Sequence, residues 1–202
     1  MKPGPHRPWL ALLGALLPLS GCFGGLSSKA PSPQRYVLQP AAMPATTAAA
    51  VGTLQVLRPA AAPGLGGQGI AVLRPGARLD DYENALWAAD APSALQGLII
   101  EALRHAGHFA AVESDAGPFA AQYLLSLDLT HFEARYDGEG PPSIEVTLVA
   151  SLGKRSDRSV QQSFTAHSSV RAQADRMQAV IAAFEQATGD VLTQLSENLA
   201  VP

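Results

Sequence analysis

Ile144-Glu145-Val146-Thr147-Leu148-Val149-Ala150-Ser151-Leu152 decides the fold. Ile144, Val146, Leu148, Ala150 and Leu152 alternate with Glu145, Thr147, Val149 and Ser151. A period of two places one set on each side of a strand, so this is a strand with one buried face. The same alternation stands on either side. Before it, Tyr123, Leu125, Leu127 and Leu129 alternate with Leu124, Ser126, Asp128 and Thr130. After it, Val160, Phe164, Ala166 and Val170 alternate with Gln161, Ser163, Thr165 and His167. The connections carry turn chemistry, Asp137-Gly138-Glu139-Gly140-Pro141-Pro142 and then the charged residues 153–158. Three consecutive strands joined by short turns predict an antiparallel sheet. His131 and His167 fall among the polar positions and read as surface histidines.

Helical spacing brackets these strands. Residues 173–199 carry Met177, Val180, Ile181, Phe184, Val191, Leu192, Leu195 and Leu199 along one stripe. The polar side lacks the Lys/Arg richness of helices that lie in a membrane surface, so this helix is expected to pack beside the sheet. Upstream, Asp90 or Ala91 caps a second helix with Pro92 in its first turn, and Gly107 ends it. Leu95, Leu98, Ile99, Ala102, Leu103 and Ala106 form its stripe. His105 and His108 flank its end three apart, but Gly107 breaks the helix between them and no third ligand is near. No metal or other cofactor is expected.

Towards the start of the chain, residues 36–38, 53–57 and 70–73 read as short strands, and 78–87 as an extended stretch. Residues 39–50 and 60–69 read as loops. The second contains Gly64-Leu65-Gly66-Gly67-Gln68-Gly69, the spacing of a nucleotide-binding turn. That motif needs a helix directly after it, and here a short strand and the turn Arg74-Pro75-Gly76 follow. Asp80 and Asp81 are neighbours on an extended segment, so they point to opposite sides and form no catalytic pair. Tyr82 and Trp87 supply large aromatic area and are the candidate partner contacts. For Trp87 a place in the core is the competing reading.

The beginning of the chain is of another kind. Lys2 and Arg7 precede an apolar run from residue 10 to residue 19, too short to cross a bilayer. Small residues follow, the pattern of a secretory signal peptide. Leu19-Ser20-Gly21-Cys22 resembles the bacterial lipobox. The resemblance implies cleavage after Gly21, a diacylglyceryl thioether on Cys22 and acylation of its new amino group. Residues 1–21 are then a signal peptide, and 22–35, small, polar and proline-containing, a lipidated tether. Phe23 rather than Asp follows Cys22, which under the sorting rule of enteric bacteria favours the outer membrane. Cleavage takes Lys2 and Arg7 away and leaves 12 basic against 17 acidic residues, a side-chain charge of −5. Such a chain lacks the basic face that nucleic-acid binding needs. Cys22 is the one cysteine, so a lipid on its sulfur excludes disulfides, thiol catalysis and cysteine-bound metals.

The order of these elements resembles the ABC-type transport auxiliary lipoprotein family, which includes the lipoprotein of the paraquat-inducible operon. The residues that carry it are Tyr36 and Leu38, Ile70-Ala71-Val72, Tyr82 to Trp87-Ala88, and the helix ending at Gly107 before Phe109 and Val112. Family members often place Arg directly before the Trp; here it is Leu86. The resemblance covers residues 36–202 as one domain. It implies an α+β fold, with two amphipathic helices on one face of a mixed or antiparallel sheet. It also implies a non-enzymatic role beside an ABC transporter and a periplasmic protein of the mammalian-cell-entry type. Such systems carry phospholipids or other hydrophobic compounds, and the lipoprotein docks the periplasmic channel to the membrane. Some members form rings, which implies a homo-oligomer. The alternative function is a structural lipoprotein that assists assembly of an outer-membrane complex.

Overall fold

The computed structural model describes Met1, residues 32–39 and residues 50–199. Gly21, Cys22, the apolar run before them, most of the tether and most of the 39–50 loop lie outside the described residues. Eleven elements follow in order. The first half holds β1 (Gln34–Tyr36), β2 (Val51–Val56), β3 (Ala60–Ala61), β4 (Gly69–Arg74), β5 (Arg78–Trp87) and α1 (Ala91–Ala106). The second half holds β6 (Phe109–Ser114), β7 (Tyr123–Arg135), β8 (Ser143–Lys154), β9 (Ser159–Arg171) and α2 (Met177–Asn198). The fold is α+β with a mixed sheet.

β7 is the strand on which the sheet is built. One of its edges carries β8 antiparallel, and β8 carries β9 antiparallel. The other edge is shared end to end by three parallel strands: β2 beside residues 123–125, β3 beside 128–129 and β4 beside 134–135. β6 extends the sheet from β2, and β5 and then β1 extend it from β4. α1 packs on β6 and β2, α2 packs on β8 and β9, and the two helices touch. Alternation along β7 and β8 therefore has a direct reading. Leu125, Leu127, Leu129, Ile144, Val146, Leu148 and Ala150 are buried, and the polar set lies on the other side.

The helix ends are as their residues dictate. Asp90 adopts extended backbone and its carboxylate accepts from Ser93 N at 3.0 Å. The same oxygen takes Arg58 Nη2 at 2.5 Å. The first-turn amides of a helix have no partner within it, so this oxygen fills a vacancy that every helix start presents. At the other end Gly107 sits at φ 74, and its N–H reaches Leu103 O. An L side chain costs about 1–2 kcal/mol there.

Three expectations need correction. β1 begins two residues earlier than Tyr36-Val37-Leu38, although Leu38 is still buried. The residues 60–69 are not all loop, because Ala60 and Ala61 pair with β7. Val160 is 66% exposed rather than part of the buried set. A register shift between Leu152 and Gly153 breaks the alternation of β9 just there, and a bulge moves every following side chain to the other face.

Candidate functional site

Trp87 belongs to the core. It is 2% exposed, with its ring 5.6 Å from Phe132 and 5.1 Å from Phe184, the latter edge-on at 84°. Phe132 and Phe184 stand 5.1 Å apart. The triad joins β5, β7 and α2, and offset or edge-on rings are the arrangement that aromatic quadrupoles favour. Its indole Nε1 has no hydrogen-bond partner among the described residues. Packing in this triad accounts for the burial of Trp87, which also lines an apolar cavity between residues 36–38 and α1.

Tyr82, the other candidate contact, is half-buried and belongs to a polar cluster that the sequence did not bring together. Its hydroxyl meets that of Tyr136 at 2.9 Å, and Tyr136 donates to Asp175 Oδ1 at 2.6 Å. The Arg74 guanidinium lies 5.1 Å above the Tyr136 ring. Strand pairing explains the meeting. β4 lies beside the end of β7, so the residue after β7 is carried to Arg74, and Tyr136 N bonds Leu73 O at 2.9 Å. A cavity of 290 Å³ opens beside this cluster, lined by Arg74, Gly76, Ala77, Arg135, Tyr136 and Asp137 among others. Its rim is the β4–β5 turn, where Gly76 and Ala77 both take left-handed backbone, φ 82 and 58.

The electrostatics of this cluster suit a binding surface better than proton transfer. Burial pushes the Tyr82 phenol up, and its hydrogen bond with Tyr136 opposes this. Burial and then the bond to the Asp175 carboxylate hold the Tyr136 phenol far above its ordinary value. Both rings stay neutral at physiological pH, and neither is poised as a base. The arginines that line the cavity have carboxylates at hand: Arg74 lies 3.7 Å from Asp80 and Arg135 bonds Asp137 at 3.2 Å.

A second cavity, also 290 Å³, is apolar. Tyr36, Val37 and Leu38 form one wall, and Ala94, Gly97 and Leu98 of α1 form the other. Val37 is exposed at its rim, and a Cβ on Gly97 would meet nothing within 4 Å. Here Leu38 is buried as a wall residue, which is what the early Tyr-x-Leu does in three dimensions.

His167 lies where the polar alternation puts it, and a register shift between Leu129 and His131 carries His131 to the outer side as well. His131 Nδ1 is 2.8 Å from Glu133, a carboxylate almost fully enclosed on the outer side of β7, and His167 Nδ1 is 2.9 Å from the Thr147 hydroxyl. Asp80 lies with Arg78 while Asp81 lies against Gly69, so the two do not combine. The Gly64 to Gly69 stretch leads into β4 and not into a helix. No group of three His, Cys, Asp or Glu side chains suited to a metal occurs among the described residues. No described helix is long and apolar enough to cross a membrane.

The model of the ABC-type transport auxiliary lipoprotein component matches residues 36–196, nearly the whole of the described fold. The chain belongs to that family. The auxiliary lipoproteins accompany ABC transport systems in the cell envelope and are not a known enzyme family. Protein XCC0632 from Xanthomonas campestris aligns at 30% identity and a TM-score of 0.73, over 81% of this chain and 92% of its own. An uncharacterized protein of known structure aligns at 17% identity and a TM-score of 0.63, over 84% and 97%, which is a likeness of fold. A PelC dodecamer from Paraburkholderia phytofirmans aligns at 18% identity and a TM-score of 0.45, over 76% and 93%, too distant to bear on assembly. No curated protein matches the chain.

Proposed function

We propose that this auxiliary lipoprotein is anchored through Cys22, in the outer membrane, and serves an ABC-type transport system built around a mammalian-cell-entry-type periplasmic protein. It docks the periplasmic channel to the membrane, and the cargo is phospholipid or another hydrophobic compound. The observation that carries this reading is the family match over residues 36–196, joined to Leu19-Ser20-Gly21-Cys22 upstream of it. The half-buried Tyr82–Tyr136 cluster, with its cavity and neutral phenols, is the surface we assign to the protein partner. Aromatic hydroxyls beside an arginine are the residue types that anchor protein interfaces. Assembly into a homo-oligomeric ring is part of the same proposal.

In vivo crosslinking of the full-length lipoprotein and pull-down from detergent-solubilised envelopes tests it. Recovery of a mammalian-cell-entry protein together with an ATPase and a permease is the expected result. Recovery of an outer-membrane barrel in their place overturns the transport role in favour of assembly.

A further inference from the structure

Phe119 and Val160 are 71% and 66% exposed, the two most exposed large apolar side chains among residues 50–199. The strand register brings them to one end of the sheet. Tyr123, the first residue of β7, stands opposite Lys154, which stands opposite Ser159. Val160 stands opposite Gly153. Phe119 lies in the connection that crosses β2 to reach β7, three residues before Gln122, whose carbonyl accepts from Arg155 N at 2.9 Å. The β8–β9 turn at this end carries Arg155 and Arg158, with Lys154 at its base. None of the three is in an ion pair among the described residues. Of the acids nearby, Asp157 takes Ser159 N at 2.9 Å and Asp115 takes Gln96 Nε2 at 2.9 Å, while Glu113 lies against Gly117. At the opposite end, by contrast, Arg78 and Arg135 are each paired with a carboxylate.

We propose that this end of the domain rests on an anionic lipid surface. Phe119 and Val160 enter the boundary between headgroups and acyl chains, and Lys154 and Arg158 meet the lipid phosphates. Exposed apolar side chains at the same end as unpaired cations are the chemistry such a surface selects. Each cation near it strengthens the contact about fivefold. Two apolar side chains and two cations would hold a free protein weakly. This proposal rests on the reading of Cys22 as a lipid anchor, and a tether makes a weak contact effectively intramolecular. The domain would then stand with the Tyr82–Tyr136 cavity turned away from the membrane, since Arg74 and Arg135 lie at the far end of β4 and β7.

The test uses the mature lipidated protein in phosphatidylcholine vesicles, with and without phosphatidylglycerol. Cys22 is the sole cysteine, so Ala120→Cys and Gly138→Cys each supply one thiol for an environment-sensitive dye, at the two ends of the sheet. Ala120 is exposed, and a Cβ on Gly138 meets nothing within 4 Å. Acrylamide quenching of the dye at 120 is expected to fall severalfold when phosphatidylglycerol is present, while the dye at 138 is unchanged. Lys154→Ser with Arg158→Asn is expected to abolish that protection while the protein still floats with the vesicles. Equal quenching at 120 with both vesicles overturns the proposal and leaves the anchor standing. A protein that floats with neither overturns both.

Discussion

Asp90 shows how a single carboxylate serves a helix and a turn at once. Asp90→Ala removes the acceptor for Ser93 N and the partner of Arg58, and is expected to cost about 1 kcal/mol, the usual worth of a cap. Thermal or urea unfolding measures it. Asp90→Asn keeps the cap but loses the charge. The bond from Ser93 N, and then Arg58, hold the Asp90 carboxyl below its ordinary value. The unfolded chain therefore binds the proton more readily. The stability Asp90 supplies is whole above about pH 4 and is lost as the pH falls through the lowered folded value. A stability profile of Asp90→Asn is expected to converge with the wild type in acid, and parallel profiles there would remove the charge from the argument. Tyr136 has the opposite sign. Its raised phenol supplies stability that is present below about pH 10 and lost as the pH climbs. Tyr136→Phe, which gives up the bonds to Asp175 and Tyr82, is expected to cost about 1–2 kcal/mol at neutral pH and to blunt the alkaline decline. Trp87→Ala is of another magnitude, about 3–5 kcal/mol, because it empties the space between Phe132 and Phe184.

Among the elements, what could be read in the chain was whatever depends on near neighbours. The alternation of β8, the Asp90 cap and the Gly107 stop each involve residues a few positions apart, and each is found in place. Phe109–Ser114 gives little strand signal because it is short and has two alanines at its centre, and its pairing with β2 lies across α1. The same limit hid the Tyr82–Tyr136–Asp175 cluster, whose members are far apart in sequence and meet only because β4 pairs with the end of β7. Trp87 is open to two readings in the sequence because a large aromatic serves a core and an interface equally well, and its packing against Phe132 and Phe184 exists only in space. A non-local contact also governs the free edge of β9. Gln194 of α2 accepts from His167 N at 3.0 Å and donates to His167 O at 2.8 Å, standing in for one residue of a missing strand. Exposed strand edges invite pairing with other chains, and covering them is a common defence. Gln194→Ala is expected to cost about 1–2 kcal/mol and to raise the exchange rate of the His167 amide. Unchanged protection of that amide in a hydrogen-exchange experiment would show that the side chain does not guard the edge.

For the molecule as a whole, attachment and folding are expected to separate cleanly. Cys22 precedes every described element, the first of which begins at Gln34. Among the described residues, the core that holds Leu54, Trp87, Leu127, Phe132 and Phe184 is built from Leu38 onward, with Tyr36 packed against it. Cys22→Ala is expected to leave the midpoint of thermal unfolding within about 1 °C of the wild type, well under the several degrees that 1 kcal/mol produces. What changes is covalent. The wild type should incorporate labelled fatty acid and stay with the membrane fraction after a salt wash. The variant has no sulfur to carry the thioether and no acylated cysteine amine, and so should incorporate none. Three acyl chains hold a protein far more firmly than the surface contact at Phe119 and Lys154, since one chain alone binds only marginally and each buried methylene adds about 0.8 kcal/mol. A wild type that takes up no fatty acid would leave Leu19-Ser20-Gly21-Cys22 as an ordinary signal-peptide end. A variant that unfolds at lower temperature would mean that the lipidated end contributes to the fold, contrary to the order of elements in this chain.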